Sequence, residues 1–133
     1  MIRQGTDGTV VSYGRTLPLC AKAADTLRDN EGLTFDVIDL RRIFPYYWKM
    51  ISVSVQKTGR ILIVNEDTEV TNFGEHLLRR VVENHFYDLS VRPRVLQGQH
   101  VPGIGLNQVY EQNTVPQLPH VQQAMRAMAT EEA

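Results

Sequence analysis

The sequence predicts an α/β fold, a three-layer α/β/α sandwich, and two observations carry that prediction. Short β-branched apolar runs alternate along the chain with segments of helical periodicity, the pattern of parallel strands joined by right-handed crossovers. One run, residues 61–64 (Ile-Leu-Ile-Val), is apolar at every position, as a strand covered by helices on both faces requires. At 133 residues with 42% apolar content, the chain is expected to form one domain, 1–133.

Residues 9–13 form the first predicted strand, closed by Gly14. Thr16 can cap the helix that follows, whose first turn holds Pro18 and whose inner face is Leu19, Ala23, Ala24 and Leu27. Cys20, the single cysteine, is read as a buried helix residue in a reducing interior, since it can form no internal disulfide. Residues 35–40 are the second strand. Pro45 then disfavours helix at Phe44, and a helix runs from about 47 to 56 with Trp48, Ile51 and Val55 inward. Phe44, Tyr46, Tyr47 and Trp48 make a contiguous aromatic group beside this loop, read either as an interface or as core.

After Thr58-Gly59, the 61–64 run ends in Asn65-Glu66-Asp67, an acidic loop at the carboxyl end of a strand, which is the edge where open α/β sheets build sites. Asn72 is the expected N-cap of a helix reaching about residue 89, with Phe73, Leu77, Leu78, Val81 and Val82 in phase. Residues 94–98 are a further strand, and 100–119, with three prolines and two glycines, a long ordered loop. The last helix, about 118–128, aligns Val121, Ala124, Met125 and Met128, a stripe read as core. The polar residues 129–133 are expected to fray.

Fourteen basic against fifteen acidic residues leave a net charge of -1, which gives no nucleic-acid footprint. No apolar run is long enough to cross a bilayer, and the first ten residues lack the order of a signal peptide, so a cytoplasmic location or its equivalent is expected. The catalytic vocabulary is thin. No phosphate-binding glycine loop is present, and Gly103-Ile104-Gly105 has no strand before it. Ser12 and Ser54 lie outside any nucleophile elbow, and His76, His85, His100 and His120 do not recur at ligand spacing. Glu66 and Asp67 are the best acidic candidates: they can bind a cation or helix N-termini, or one can cap the next turn while the other faces water. Arg41 and Arg42 can hold an anion or clamp a loop beside Asp39.

Laid out in order, the motifs Gly5-Thr6-Asp7, Val10-Val11-Ser12-Tyr13-Gly14, Val37-Ile38-Asp39-Leu40-Arg41 with Pro45, residues 54–60 (Ser-Val-Gln-Lys-Thr-Gly-Arg), Val64-Asn65-Glu66-Asp67 and Phe73-Gly74 resemble the C-terminal domain of the transketolase family. The resemblance is specifically to the beta subunit of thiamine-diphosphate-dependent 2-oxoacid dehydrogenases of pyruvate or branched-chain type. It implies a five-stranded, mostly parallel sheet with an antiparallel edge strand at residues 2–4 and with the 9–13 and 61–64 strands adjacent. Tyr13, Gly14, Glu66 and Asp67 would then flank a switch-point crevice. Where this chain has His76 and His100, the family usually differs, and residues 102–116 resemble the tail of fused alpha-beta forms.

The resemblance further implies no cofactor in this domain, with thiamine diphosphate and magnesium held by other domains of a parent that decarboxylates a 2-oxoacid and passes the acyl group to lipoyl. The expected role is assembly and docking: to the other domains and subunits of the dehydrogenase, to a lipoyl acyltransferase core, and to a second copy as a homodimer through Phe44, Tyr46, Tyr47, Trp48 and Phe73. No nucleic acid or membrane is expected as a partner, and the location is cytoplasmic, or the mitochondrial matrix in a eukaryote. The competing expectation is a free-standing α/β module that binds an anion or nucleotide at the crevice.

Overall fold

The computed structural model describes residues 1–41, 46–68, 73–98 and 116–133. Four strands, β1 (Gly8–Ser12), β2 (Phe35–Asp39), β3 (Ile61–Thr68) and β4 (Arg94–Gly98), form a parallel sheet in the order β2-β1-β3-β4. Val10 stands opposite both Val37 and Leu62, which fixes the register across β2, β1 and β3. The antiparallel edge segment is present as one bridge, Arg3 to Val37, with Ile2 N–H donating to Val37 O at 2.9 Å. Gly5 keeps the chain close against this edge, where a Cβ would overlap Phe35 N. Asp7 then clasps the turn before β2 by accepting from Thr34 N–H at 2.8 Å.

Among the described residues, four helices cover the sheet: α1 (Thr16–Glu31), α2 (Trp48–Thr58), α3 (Phe73–His85) and α4 (Leu118–Thr130). Strand alternation sends Val10, Val37, Leu62 and Val64 to one face, where Cys20, Leu27, Val121, Met125 and Met128 of α1 and α4 bury them. Val11, Ile38, Ile61 and Ile63 point to the other face, against Ile51, Val55, Leu77 and Val81 of α2 and α3. The faces follow from connection direction. β1 to β2 runs one way along the sheet, β2 to β3 and β3 to β4 run the other, and right-handed crossovers therefore put α1 on one side and α2 and α3 on the opposite one. Each fully buried Ile, Leu or Met in these layers contributes about 1.5–3 kcal/mol of transfer free energy.

Several boundaries differ from the sequence reading, each for a local reason. Thr16 is the first residue of α1 rather than its cap; Arg15 holds that position. Its buried hydroxyl bonds instead to Ser12 Oγ at 2.7 Å and to the carbonyls of Tyr13 and Val64, tying α1 to both central strands. β3 does not end at Val64 but continues through Thr68, with an irregular register against β4. The expected acidic loop is thus strand. α3 stops at His85 and is followed by a 3-10 turn, Phe86–Asp88, held by His85 Nδ1 and the Asp88 carboxylate at 2.8 Å.

The tail expected to fray from residue 129 is tied down as far as Glu131. α4 runs to Thr130, Arg60 Nη1 donates to the Met128 and Glu131 carbonyls at 2.6 and 2.8 Å, and Arg94 pairs with the Glu131 carboxylate at 3.0 Å. A guanidinium on the last carbonyls of a helix satisfies groups that have no partner within it. Asn72, Arg42, His100 and the loop read at 100–115 lie outside the described residues.

Candidate functional site at the carboxyl edge of the sheet

The crossovers diverge between β1 and β3, so their carboxyl ends bound the switch point. Tyr13, Gly14 and Arg15 leave β1 there. Gly14 takes φ 66° with no atom within 4 Å of where a Cβ would stand, so the turn is open on its outer side. Across the gap lies Glu66 of β3, whose Oε2 is 3.6 Å from Arg15 Nε. Both side chains are more than a third exposed, so this pair is worth at most about 1 kcal/mol. Tyr13 and Gly14 thus follow the end of β1, and Glu66 and Asp67 lie in β3, its neighbour in the sheet.

Phe73, at the start of α3, joins this crevice to the aromatic group. Its ring meets Tyr13 edge-on at 6.1 Å, Tyr46 edge-on at 5.2 Å, and stacks on His76 at 5.4 Å. Tyr46 Oη lies 2.9 Å from His76 Nε2 and accepts from Arg80 Nη1 at 2.7 Å. The Arg80 guanidinium also sits 4.2 Å from the Trp48 ring centroid, a cation–π geometry. Tyr46, Trp48 and Phe73 are half-buried against the core under α2 and α3. Tyr47 alone of these points outward, 63% exposed. Phe44 lies outside the described residues.

Beside the crevice, Ile38, Asp39, Leu40, Arg41, Tyr47 and Met50 contribute to a pocket of about 250 Å³. Arg41 adopts φ 54°, and both its backbone N–H (2.8 Å) and its Nε (3.3 Å) donate to the Asp39 carboxylate. Arg41 is thus turned back onto the carboxylate two residues before it. Beneath the β1 turn, Cys20 is fully buried; loss of solvation pushes its thiol up to about 12, opposed by a hydrogen bond with Ser12.

Two of the motifs, Gly5-Thr6-Asp7 and the 54–60 run, are structural and sit at the opposite, amino edge. Asp36, fully buried on β2, accepts from Ser54 Oγ at 2.6 Å and Gly5 N–H at 2.9 Å, and pairs with Lys57 Nζ at 2.7 Å. Thr9 Oγ1 extends this network to Ser54 and Thr58. A buried carboxylate needs such partners, which explains why the Ser-Val-Gln-Lys-Thr-Gly-Arg run is built as it is. Sequence reasoning missed Arg15, His76 and Arg80 as neighbours of the candidate site. For Arg80 a signal existed, its phase on the same helix face as Phe73 and His76. Among the described residues, no group of three or more His, Cys, Asp or Glu side chains converges as metal ligands would, and no helix is long and apolar enough to cross a membrane.

The arrangement offers stacking surfaces, one exposed ion pair and a shallow pocket, the makings of a contact surface. Comparison with known proteins agrees on the family. The beta subunit of 3-methyl-2-oxobutanoate dehydrogenase of Mycobacterium tuberculosis is 37% identical over 88 residues, 66% of this chain and 25% of that protein. The 2-oxoisovalerate dehydrogenase subunit beta of Bacillus subtilis is 29% identical over 127 residues, 96% of this chain and 38% of its own length. The chain thus spans well under half the length of these relatives. A solved structure described as a split gene transketolase, an inactive beta4 tetramer, shares the fold with a TM-score of 0.82 at 20% identity, covering 98% of this chain and 42% of that one. Residues 1–121 match the family described as "Transketolase, C-terminal domain", and the chain belongs to that family.

Proposed function

We propose that this chain is the C-terminal assembly and docking domain of the decarboxylating component of a 2-oxoacid dehydrogenase, in the cytoplasm or the mitochondrial matrix. In this reading it performs no chemistry on the 2-oxoacid itself. The observation that carries the proposal is the match of residues 1–121 to the C-terminal domain family together with relatives named as beta subunits. The carboxyl edge supports it, because Tyr13, Tyr46, Trp48, Phe73 and Arg80 form a semi-exposed aromatic and cationic surface of the kind enriched at interfaces.

In this reading, thiamine diphosphate and magnesium, which such a parent uses, are held by other domains, and Glu66 of this one is turned to Arg15. The domain's part is to close around neighbours that hold the cofactor, to pair with a second copy, and to present a surface to the lipoyl acyltransferase core. Titrating the chain with thiamine diphosphate and magnesium in a calorimeter should give no heat of binding. A micromolar dissociation constant would overturn the assignment of the cofactor to other domains.

A further inference from the structure

On the flank of the domain, next to Trp48 of the carboxyl-edge surface, α2 and α3 bring a serine, a histidine and an aspartate into line. Ser52 Oγ lies 2.6 Å from His85 Nε2, and His85 Nδ1 lies 2.8 Å from Asp88 Oδ2. Ser52 is half-buried, His85 is only 6% exposed, and Asp88 faces solvent. The hydrogen-bond network assigns the roles. A carboxylate can only accept, so Nδ1 carries a hydrogen; in the neutral ring, Nε2 then presents its lone pair and the serine hydroxyl donates to it. The Trp48 ring, 5.9 Å from the imidazole and tilted 33° to it, restricts the ring to this orientation.

We propose that Ser52 is an activated nucleophile that accepts acyl groups from small activated esters, with His85 as its general base and Asp88 as the positioning residue. The chemistry needs a hydroxyl within hydrogen-bond reach of a base whose far side is held by a third group, and all three are present. Helix spacing puts the exposed Lys49 one turn before Ser52 and the exposed Gln56 one turn after it, two donors on the same strip of α2 for the oxyanion of an attacked carbonyl. In the step, Ser52 Oγ bonds to the acyl carbon and the ester bond to the leaving alkoxide or phenoxide breaks. The hydroxyl proton passes to Nε2 and from there to the leaving oxygen.

The test is p-nitrophenyl acetate on the full chain, followed by intact-mass and peptide mass spectrometry. A burst of about one equivalent of p-nitrophenolate per chain is expected, with the acetyl group on Ser52. Ser52→Ala should abolish the burst. Asp88→Asn, with circular dichroism to check that the chain remains folded, should slow it on the order of 100-fold, and Asp88→Glu should recover most of the rate. No burst, an acetyl group elsewhere, or a Ser52 adduct forming equally fast in Asp88→Asn overturns the proposal.

Discussion

Cys20 carries a charge-state cost that belongs to one residue. Its thiol is pushed up to about 12 in the fold by loss of solvation, against about 9 for an ordinary cysteine. The folded state therefore keeps the proton where the unfolded chain releases it. Stability from this group is fully present below about pH 9 and is lost as pH rises from about 9 towards about 12, by at most about 4 kcal/mol. Denaturant midpoints measured at pH 8 and pH 10.5 should fall more steeply for the parent chain than for Cys20→Ala, and parallel slopes would remove the effect. The native thiol should also resist iodoacetamide at pH 8 and react once the chain is unfolded. At this scale the sequence was informative about burial and silent about partners. The apolar neighbours of Cys20 announced its environment, whereas Ser52 and His85 are 33 positions apart and Arg15 and Glu66 are 51 apart, so their contacts exist only once the sheet has ordered the segments.

Among the elements, the two glycine caps make a controlled comparison. Gly32 ends α1 at φ 70° and Gly59 ends α2 at φ 68°, so alanine at either incurs the left-handed strain of about 1 kcal/mol. Nothing lies within 4 Å of a Cβ at Gly32, but one at Gly59 would stand 2.6 Å from Ser90 Oγ and 3.2 Å from the Asp88 carbonyl. Gly59→Ala should therefore lower the melting temperature several degrees more than Gly32→Ala, and equal losses would show that Ser90 yields freely. Strand and helix identities were readable from periodicity, as were the α1 and α4 inner faces. The extent of β3 was not. Asn65, Glu66 and Asp67 look like a strand's end by composition, yet β3 passes through them by way of a register shift and pairs again with β4 at Thr68, opposite Gly98. Strand order came from the family resemblance, since alternation reveals which face a residue uses and not which strand it pairs with.

For the molecule as a whole, the proposed self-association rests on the aromatic surface around Tyr46, with the 63% exposed Tyr47 at its rim. Tyr47→Glu adds charge to an outward side chain and should leave the melt within about 0.5 kcal/mol of the parent. It should shift sedimentation towards the monomer, and an unaltered profile would move the contact elsewhere. The two apolar layers differ in how they are completed. The side under α2 and α3 is roofed by segments that lie between the strands in the chain, but the side shared by α1 and α4 needs Val121, Met125 and Met128, which follow every strand they cover. During translation, then, Val10, Leu62 and Val64 emerge from the ribosome long before their lid does. A nascent chain halted ahead of residue 118 lacks the α4 share of that cover and is expected to engage holdase chaperones more than the full chain does.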